Sequence, residues 1–574
     1  MMRKILLALL WLFLLGSCAG PESEFARSLA VKAPAELILI NGKILTVDKD
    51  FSIQEAVAIT AGRFIAVGSD GEVRRWRGPH TRVIDLGRRT VIPGLIDSHI
   101  HATVAGLSWD SELHWELTRS LADGLRQIAM AARTRPPGSW IVVGGGWVPT
   151  QFAERRFPTR ADLDAVAPKN PVYLQYLRQG ALLNTAALAA AGINRHTPDP
   201  PGGRFERDPS TGEPTGLVQG VAAWAYAYGK IPRPDLGQIR QSFRNCFREL
   251  NRLGVTSVVD LQTGDVTFAH RRLLSDMARN RDLTLRLNYY IAPSGDGDEV
   301  EQLRGIAAEV KQLGNNEMFR FGGFGETLVR GTSDGDVLSN PNGFTIDSTA
   351  KEKFREVVRF LAKEGYSFHL HATQDNTARQ LLDVLEQVDH EAPLGRRRIA
   401  FAHLEDITPE TIARILKLGG GISVQDRLLL TGERNLQLWG AKARSAPPLR
   451  TLLNAHVPLG AGTDAFSSGN YSPMYSLWWL VTGKTIAGTP LRNSSQNVTR
   501  EEALRLYTMG GAWFTFEEDR KGSIEVGKFA DLAVLSADYL TVPEEQIRSL
   551  ESVLTMVGGR VVYAAGGFAQ LQKK

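Results

Sequence analysis

Cysteine is nearly absent from this chain, which has Cys18 and Cys246 as its two cysteines among 574 residues. Cys246 lies inside a helical pattern, where we expect a buried structural thiol. Because Cys18 belongs to an N-terminal segment that we interpret below as an export signal, no second cysteine is left for Cys246. An intramolecular disulfide is therefore excluded, even in an oxidising compartment.

Excess charge and low-complexity sequence are also scarce. The net charge of +5 and the pI near 9.0 are small for this length, and the basic run at 396–398 is typical of a solvated loop. Nothing resembles a phosphate-binding loop or a nucleic-acid-binding surface, so we expect a small-molecule substrate and no nucleic acid. A chain that is 43% hydrophobic and 22% charged is a folded protein. Its length allows one large barrel and a smaller domain.

A long apolar run occurs at the N-terminus, from Ile5 to Leu15, after the basic pair at 3–4. It is too short for a comfortable transmembrane helix and is typical of a signal peptide. The run ends in Leu-Gly-Ser-Cys18, which resembles a bacterial lipobox. We therefore expect a signal peptide over 1–17, lipidation of Cys18 and a tether over 18–34.

Ala19 follows the cysteine, and in such a resemblance this residue goes with delivery to the outer membrane, facing the periplasm. The lipid would be the chain's only membrane contact. The alternatives are an ordinary signal peptide with a secreted or periplasmic product, or an uncleaved anchor. A homo-oligomer is compatible with the sequence.

The stretch from Val91 to His101 joins an apolar run to two histidines. Such a run with β-branched residues predicts a buried strand. Side chains two residues apart on a strand lie on one face, so His99 and His101 would point to the same place. Imidazole nitrogens suit zinc and similar ions. Alone, His-x-His more often marks histidines with no metal.

Short strand runs separated by glycine turns stand near both ends of the chain. Glu36–Val47 and Ala56–Val67 are interrupted by Asn-Gly and Ala-Gly and predict hairpins. Asp531–Leu535 and Ser552–Tyr563 repeat this pattern, with a Gly-Gly turn. We therefore expect one small sheet domain built from 35–92 and 521–570.

The intervening segment, 93–520, alternates strands with amphipathic helices, which predicts an α/β barrel. After the strand that ends in the two histidines, the candidate strands are Val255–Asp260, Thr284–Ile291, Met318–Glu326, Tyr366–His371, Arg398–His403, Gly420–Gln425 and Val457–Asp464. The region of about 108–251 does not fit this count. It holds two strand-like runs (Trp140–Gly144 and Pro171–Leu177) and a Pro/Gly-rich loop (Thr197–Gly216), and we interpret it as an insertion that roofs the active-site face.

Polar side chains occur where several of these strands end, namely Glu326, His369, His371, His403 and Asp464. The carboxyl ends of barrel strands are where such folds place catalysis. Each residue alone could be a core histidine or a turn cap. Together they predict a site at this face.

Several motifs, in order, resemble the amidohydrolase-3, or YtcJ-like, branch of the amidohydrolase superfamily. They are ILINGKILTVD (38–48), PGLIDSHIH (93–101), FPTRADLDAVAPKNPVYL (157–174), PGGRFERDPSTGEPTG (201–216), HATQD (371–375), IAFAH (399–403), GTD (462–464) and GSIEVGKFADLAVL (522–535). The resemblance covers about 35–568. It implies a (β/α)8 TIM-like barrel with a small β-sandwich and one or two divalent metals, with zinc expected first and iron or manganese as alternatives.

The resemblance also implies roles for the polar residues. The metal ligands would be His99, His101 and Asp464 for the more buried ion and His371 and His403 for a second. His369 points to the same side as His371, and would be an alternative ligand or a partner that hydrogen-bonds to a ligand. Asp464 would also be the general base.

The sequence departs from the family pattern in the fourth barrel strand. Many relatives carry a bridging lysine there, whereas this chain has Gly325 at about that position. Glu326 could replace the lysine, because a carboxylate also offers two oxygens. It would need a bulge to reach the correct face, and Gly322, Gly323 and Gly325 make one possible. One or two metals therefore remain open.

Two further departures concern 178–181, where relatives often have a histidine, and Gln425-Asp426, where a proline often follows the glutamine. Aromatic residues could line the roof or could simply be core, and core packing is the expectation for most of them: Trp109, Trp115, Trp147, Phe152, Phe324, Trp478 and Trp479. No arginine or lysine at a strand end stands out as a clamp for a substrate carboxylate. The substrate-binding residues stay unassigned.

These features predict a metal-dependent hydrolase of a C–N bond in an amide, formamide or cyclic amide, with attack by metal-bound hydroxide. Asp464 would take the proton of the water and return it to the leaving amine. The alternatives are a catalytically silent envelope lipoprotein that uses the cavity for binding, and a deaminase of amino-heterocycles.

Overall fold

The structure is a computed structural model that describes residues 33–573, apart from 296, 336–339 and 396. The predicted signal peptide, Cys18 and nearly all of the predicted tether lie outside the described residues. Among the helices that are described, none has the length and apolar character needed to cross a bilayer.

The N-terminal segment contributes strands to two different sheets. Its elements are β1 (Leu37–Ile40), β2 (Lys43–Leu45), β3 (Ile53–Gln54), β4 (Ala56–Thr60), β5 (Arg63–Gly68), α1 (Asp70–Arg74), β6 (Arg82–Asp85) and β7 (Thr90–Pro93). One sheet has the order β5-β4-β1-β6, whereas β2, β3 and β7 belong to a second sheet.

The two predicted N-terminal hairpins have different outcomes. The hairpin at Ala61-Gly62 is confirmed, since β4 and β5 pair antiparallel. The hairpin at Asn41-Gly42 is wrong, because β1 pairs with β4 and β6 while β2 pairs with β3 and β7. The chain changes sheets at this turn, where Asn41 N–H donates to Asp70 Oδ1.

The apolar run that sequence analysis interpreted as one strand is divided at Gly94. Before it, β7 pairs with β2 in the second of these sheets, called the terminal sheet below. After it, β8 (Leu95–Ile100) pairs with a different sheet. A Cβ at Gly94 would lie 2.1 Å from the Thr256 hydroxyl oxygen. The close approach of these backbones therefore requires glycine at the division.

The region after β8 forms its own sheet. Its elements are α2 (Ala102–Gly106), β9 (Glu112–Leu113), α3 (Leu121–Thr134), β10 (Ile141–Val143), α4 (Arg160–Val166), β11 (Val172–Tyr176), β12 (Gly180–Leu183), α5 (Thr185–Ala191), β13 (Arg204–Arg207), β14 (Pro214–Gln219) and α6 (Val221–Tyr228). The strand order is β13-β14-β12-β11-β10-β9. The Pro/Gly-rich segment that was expected to be a loop therefore contains part of a hairpin, formed by β13 and β14. Phe205 of this hairpin is buried in the local core.

The long middle segment alternates helices and parallel strands. Its elements are α7 (Leu236–Arg252), β15 (Val255–Gln262), α8 (Phe268–Arg279), β16 (Arg286–Ile291), α9 (Glu299–Leu313), β17 (Phe319–Phe324), α10 (Ser348–Glu364), β18 (His369–Ala372), α11 (Asp375–Glu391), β19 (Ala400–His403), α12 (Pro409–Lys417), β20 (Gly421–Gln425), α13 (Arg427–Trp439), α14 (Leu449–Asn454), β21 (Leu459–Gly462) and α15 (Pro473–Thr482). All eight predicted strands of this region are present, so the α/β class with parallel sheets is confirmed.

Local sequence explains the bounds of these helices. In α10, for example, Asp347 accepts a hydrogen bond from the N–H of Ala350, which satisfies a free donor of the first turn. Gly365, with φ of 83°, ends the helix in the left-handed conformation. Cys246 is fully buried in α7, as expected for a structural thiol.

The eight parallel strands form two four-stranded sheets, β17-β16-β15-β8 and β18-β19-β20-β21. Hydrogen bonds join the sheets at both edges. Asp464 N–H donates to the His99 carbonyl at 2.9 Å, and Phe324 N–H donates to the Ser367 carbonyl at 3.0 Å. The carboxyl ends of strands from both sheets therefore meet.

The C-terminal segment returns to the terminal sheet. Its elements are α16 (Arg500–Arg505), α17 (Gly511–Trp513), β22 (Leu532–Leu535), α18 (Glu544–Ile547), β23 (Ser552–Val557) and β24 (Arg560–Ala564), and the sheet order is β24-β23-β22-β7-β2-β3. The predicted Gly-Gly hairpin is confirmed by β23 and β24. A buried ion pair, Arg286 Nε to Asp531 Oδ2 at 2.7 Å, connects this segment to β16.

Candidate metal centre

The strand ends of both parallel sheets bring together six side chains that sequence analysis selected. They are His99, His101, Glu326, His371, His403 and Asp464. All six are buried or nearly so; the most exposed side chain, that of Glu326, is 15% exposed. The cluster lies where the edge bonds of β8 with β21 and of β17 with β18 draw the two sheets together.

His99, His101 and Asp464 form the first group. Asp464 Oδ1 lies 3.3 Å from His99 Nε2 and 3.1 Å from His101 Nε2. The ligand-type atoms of the three residues all lie within 4.8 Å of one another. This spacing suits three ligands of a shared ion, because Zn–N and Zn–O bonds are about 2.0–2.2 Å long.

A second group joins His99 to Glu326 and His403, again within 4.8 Å. His371 lies beside this group, since its Nδ1 is 3.2 Å from Glu326 Oε2 and 3.0 Å from His403 Nε2. Glu326 Oε1 is also 3.7 Å from His101 Nε2. The Glu326 carboxylate therefore faces the histidines of both groups.

Glu326 reaches this position through the bulge that the sequence made possible. In the pairing of β16 with β17, Tyr289 is opposite Phe321 and Tyr290 is opposite Gly323, so Gly322 is the extra residue. Gly325 has φ of 137°, and a Cβ there would lie 2.5 Å from the His369 carbonyl oxygen. A lysine does not fit at 325 in this backbone.

Carbonyl groups fix two of the imidazoles. His101 Nδ1 is 2.6 Å from the Leu261 carbonyl, and His371 Nε2 is 2.6 Å from the Gly335 carbonyl. Because an N–H must donate to each carbonyl, the nitrogen available to an ion is Nε2 in His101 and Nδ1 in His371.

His99 supplies the fit test for a metal. Its side chain is 0% exposed, and neither ring nitrogen makes a hydrogen bond to any described residue. Burying an imidazole without a partner costs free energy. A divalent ion bound to Nε2 would remove this cost. Two carboxylates also point toward Nε2, so the donor set fits zinc or a similar ion.

The charges in the cluster support one another. Burial would raise the pKa of Asp464, but the hydrogen bond from His101 and the charge of His99, whose Nε2 lies 3.3 Å away, hold it well below its usual value. Burial opposes protonation of His101, yet the hydrogen bond and charge of Asp464 and the charge of Glu326 raise its pKa to about 9. Asp464 and His101 therefore stabilise each other's charged forms.

His369 does not join either group of ligand atoms. Its ring packs 4.3 Å from the Tyr290 ring and 5.8 Å from the Phe514 ring, measured between centroids. Burial, and then the charge of His99, lower its pKa to about 3. It lies among apolar side chains next to the centre.

Two side chains that hold the candidate ligands, Asp97 and Asp334, were not predicted from the sequence. Asp97 accepts a hydrogen bond of 2.7 Å from the Thr463 hydroxyl and ties β8 to the residue before Asp464. Asp334 Oδ1 lies 3.3 Å from His371 Nε2. Asp97 lies inside the quoted first-strand motif and could have been noticed, whereas Asp334 is in a loop without a periodic pattern.

Arg427 was also missed. Its Nε lies 3.7 Å from Asp464 Oδ2, and its side chain is 11% exposed. It directly follows Gln425-Asp426, which sequence analysis noted only as a departure. The sequence position was therefore a usable signal.

A cavity of about 570 Å³ opens onto the centre and includes His101, Glu326, His371 and Asp464 in its wall. The segment between β8 and β15 contributes Leu177 to Gln179 to this wall. None of the aromatic residues named from the sequence lines it. Most of them are buried in apolar cores, as expected from the sequence.

Parallel strands that end in clustered imidazoles and carboxylates define the class, a metal-dependent hydrolase of the α/β type. The chain belongs to the Amidohydrolase family, whose model matches residues 82–563. The predicted enzyme class, a hydrolase acting on carbon–nitrogen bonds other than peptide bonds, is thereby confirmed.

Relatives match over almost the whole chain. The chain is 28% identical to N-substituted formamide deformylase of Arthrobacter pascens, over 93% of this chain and 99% of the relative. It is 26% identical to the putative amidohydrolase YtcJ of Bacillus subtilis, over 91% and 98%. The predicted YtcJ-like branch is therefore confirmed.

Solved structures share the fold. An uncharacterized metal-dependent hydrolase from Pyrococcus horikoshii matches with a TM-score of 0.63 at 20% identity, over 89% of this chain and 99% of that chain. Atrazine chlorohydrolase TrzN from Arthrobacter aurescens, crystallised with zinc, matches with a TM-score of 0.52 at 18% identity, over 92% and 95%.

We predict that Gly325→Ala disrupts the centre. The new Cβ would meet the His369 backbone at 2.5 Å, which costs about 1–3 kcal/mol in overpacking and moves Glu326. We expect metal affinity to fall by about tenfold or more, measured by competition with a zinc chelator. Gly488→Ala is the control, because Gly488 also has positive φ but nothing lies within 4 Å of its Cβ position. Equal metal affinity in the two variants would contradict the prediction.

We also predict that metal binding releases protons. The pKa of His101 is raised to about 9 and that of His371 to about 10, so both carry a proton at pH 7 in the metal-free protein. A metal ligand must be deprotonated, so affinity should rise with pH until these pKa values are passed. Calorimetric zinc titrations in buffers of different ionisation enthalpy measure the release. A heat of zinc binding at pH 7 that does not change with the ionisation enthalpy of the buffer would refute the prediction.

Proposed function

We propose that this protein hydrolyses the C–N bond of an amide, a formamide or a cyclic amide in a metal-dependent reaction. The observation that carries the proposal is the convergence of His99, His101 and Asp464 within 4.8 Å at the floor of an open cavity. The similarity to N-substituted formamide deformylase supports an amide-type substrate. A catalytically silent role is not favoured, because family membership and an intact donor set occur together.

A bound divalent ion would lower the pKa of a water ligand and polarise the scissile carbonyl. Asp464 is positioned to accept the proton of the attacking water, because its carboxylate lies in the cavity wall and its low pKa keeps it ionised at neutral pH. The same carboxylate then returns the proton to the leaving amine, which amide cleavage needs. His101 and Arg427 hold Asp464 in place on either side.

Glu326 is the proposed bridge between two ion positions. Its Oε2 lies 3.5 Å from His99 Nε2 and 3.2 Å from His371 Nδ1, and its Oε1 faces His101. His99, His101 and Asp464 would hold the first ion, and His371 and His403 the second. Zinc is the proposed metal, with support from the ligand types and from the zinc complex of a protein of the same fold.

For the architecture, we propose that the eight parallel strands form a (β/α)8 TIM-like barrel over 93–520, with the insertion at about 108–251. The hydrogen bonds at both sheet edges support closure. We further propose a β-sandwich over 35–92 and 521–570. An apolar core that contains Leu39, Phe64, Leu532 and Met556 from two sheets supports this.

Metal removal tests the function. We expect chelated protein to lose hydrolysis of N-benzylformamide or of dihydrouracil, chosen as a formamide and a cyclic amide, and zinc to restore it. Protein purified without added ions should retain zinc, iron or manganese. Adenine, included in the same panel, tests the deaminase alternative. Metal-free protein that still hydrolyses the amides at full rate would contradict metal dependence.

In the same assay, Asp464→Asn should lower kcat by about 10²- to 10⁴-fold, because proton transfer is lost. Metal analysis of the variant separates lost proton transfer from lost metal. Asp383→Asn is the control, since the Asp383 side chain is 62% exposed and pairs with Arg414 on the surface. A D464N enzyme with full metal content and wild-type kcat would exclude Asp464 as the base.

For location, we propose a lipoprotein of the cell envelope, anchored through Cys18 to the outer membrane and facing the periplasm. The proposal rests on the basic, apolar and lipobox-like segments of residues 3–18. Cells expressing the protein and fed a labelled fatty acid should label it and retain it with membranes, and Cys18→Ser should abolish both. Release of unlabelled wild-type protein into the soluble periplasm would support an ordinary signal peptide instead.

A further inference from the structure

Two cavities adjoin at the mouth of the centre. The larger, of about 570 Å³, reaches the metal ligands, and its neighbour, of about 470 Å³, extends away from them. Arg178, Gln179, Val221 and Thr431 line both. A substrate whose amide lies at the ligands would therefore pass these four residues as it extends outward.

Beyond the centre itself, the charged residues that the structure describes in the wall of the larger cavity are all of one sign. Apart from the metal-centre residues, the charged side chains among its described lining residues are Arg178, Arg330 and Arg427. Among the lining residues that the structure describes, no aspartate or glutamate outside the centre accompanies them. Cavities lined by one sign of charge with low-dielectric walls attract ligands of the other sign.

Arg178 stands out among these arginines. It is exposed, and it makes no hydrogen bond or ion pair with any residue of the described ranges, so its guanidinium is available to a ligand. It lies in the tight connection between β11 and β12, where Gln179 N–H donates to the Tyr176 carbonyl at 3.2 Å. Gln175 also donates to the Leu177 carbonyl at 2.9 Å. Its backbone is therefore held in place.

The rest of the wall is mixed. Leu177, Val221, Leu261 and Leu328 give it an apolar component, and Val221 is 57% exposed beside Arg178. Such a wall suits a ligand with an apolar body and an anionic end. A guanidinium offers two parallel N–H donors that match the two oxygens of a carboxylate.

We propose that the substrate carries a carboxylate, which Arg178 binds at the junction of the two cavities while the amide group lies at the metal centre. This proposal rests on the proposed function and defines its substrate class, N-acyl or N-formyl derivatives of amino acids with an apolar side chain. Acidic substrates had no support from the sequence, because no arginine or lysine at a strand end stands out as a clamp. Arg178 lies instead in the segment between β8 and β15.

The test compares two probes that differ only in charge, N-formylphenylalanine and N-formylphenylalaninamide, each as both enantiomers. We expect kcat/KM to favour the acid by about tenfold or more, the size of a charge-assisted hydrogen bond that is partly open to solvent. In Arg178→Gln, the ratio of acid to amide should fall by about tenfold. Higher salt should reduce the wild-type ratio, because the pair is screened.

Arg133→Gln is the matched control, since Arg133 is exposed on α3 and lines neither cavity. Its ratio of acid to amide should equal that of the wild type. An acid that is no better than its amide, or an R178Q ratio equal to the wild-type ratio, overturns the carboxylate site. Hydrolysis of neutral formamides would then leave the proposed function intact.

A second measurement tests the carboxylate site without catalysis. Calorimetric binding of 3-phenylpropanoate and 3-phenylpropanamide to zinc-loaded protein should favour the acid, and R178Q should remove about tenfold of that preference. A carboxylate that binds only the metal would keep its affinity in R178Q, which overturns the proposal. If no amide is hydrolysed, the proposed function fails, and this binding difference decides the carboxylate site on its own.

Discussion

The centre depends on two carboxylates, Asp464 and Glu326, that face four imidazoles and are only 6% and 15% exposed. An ionised carboxylate is costly to bury unless positive charge lies beside it. Two of the imidazoles, those of His101 and His371, provide that charge because their pKa values are raised to about 9 and about 10, and a divalent ion could provide it instead. Hydrogen bonds at the sheet edges bring β8 beside β21 and β17 beside β18. These bonds thus join the two sheets and also bring the carboxylates close to the imidazoles.

Much of this arrangement could be predicted from sequence, because strand period and strand ends are local properties. The i, i+2 spacing of His99 and His101 places both imidazoles on one side, and the glycines before Glu326 allow the bulge that turns its carboxylate inward. The division at Gly94 was not predictable, since an apolar run looks the same whether it pairs in one sheet or two. The prediction of a hairpin at Asn41-Gly42 was wrong for the same reason, because tertiary packing decides which strands pair.

The atoms that fix the ligands were beyond local sequence. Which nitrogen of each histidine is available depends on carbonyl groups from other segments, that of Leu261 for His101 and that of Gly335 for His371. Asp334 reaches His371 from a loop whose sequence has no period to interpret. Strand ends could be located from sequence, whereas the hydrogen bonds that orient the rings arise only when distant segments meet.

The centre and the outer cavity are built from different parts of the chain, and this separation bears on specificity. Strand ends supply every candidate ligand atom, so a change there would alter the reaction itself. Arg178 and Leu177 come from the segment between β8 and β15, which has an apolar cluster of its own that contains Phe152 and Leu174, whereas Leu177 packs in the main core. Because Arg178 is exposed in the connection between β11 and β12, a change of this side chain leaves the strand ends in place, and substrate choice could change while the candidate ligand set stays constant. Among the residues that the structure describes, none pairs with the Arg178 guanidinium, and the proposed carboxylate site would use this side chain to select the substrate.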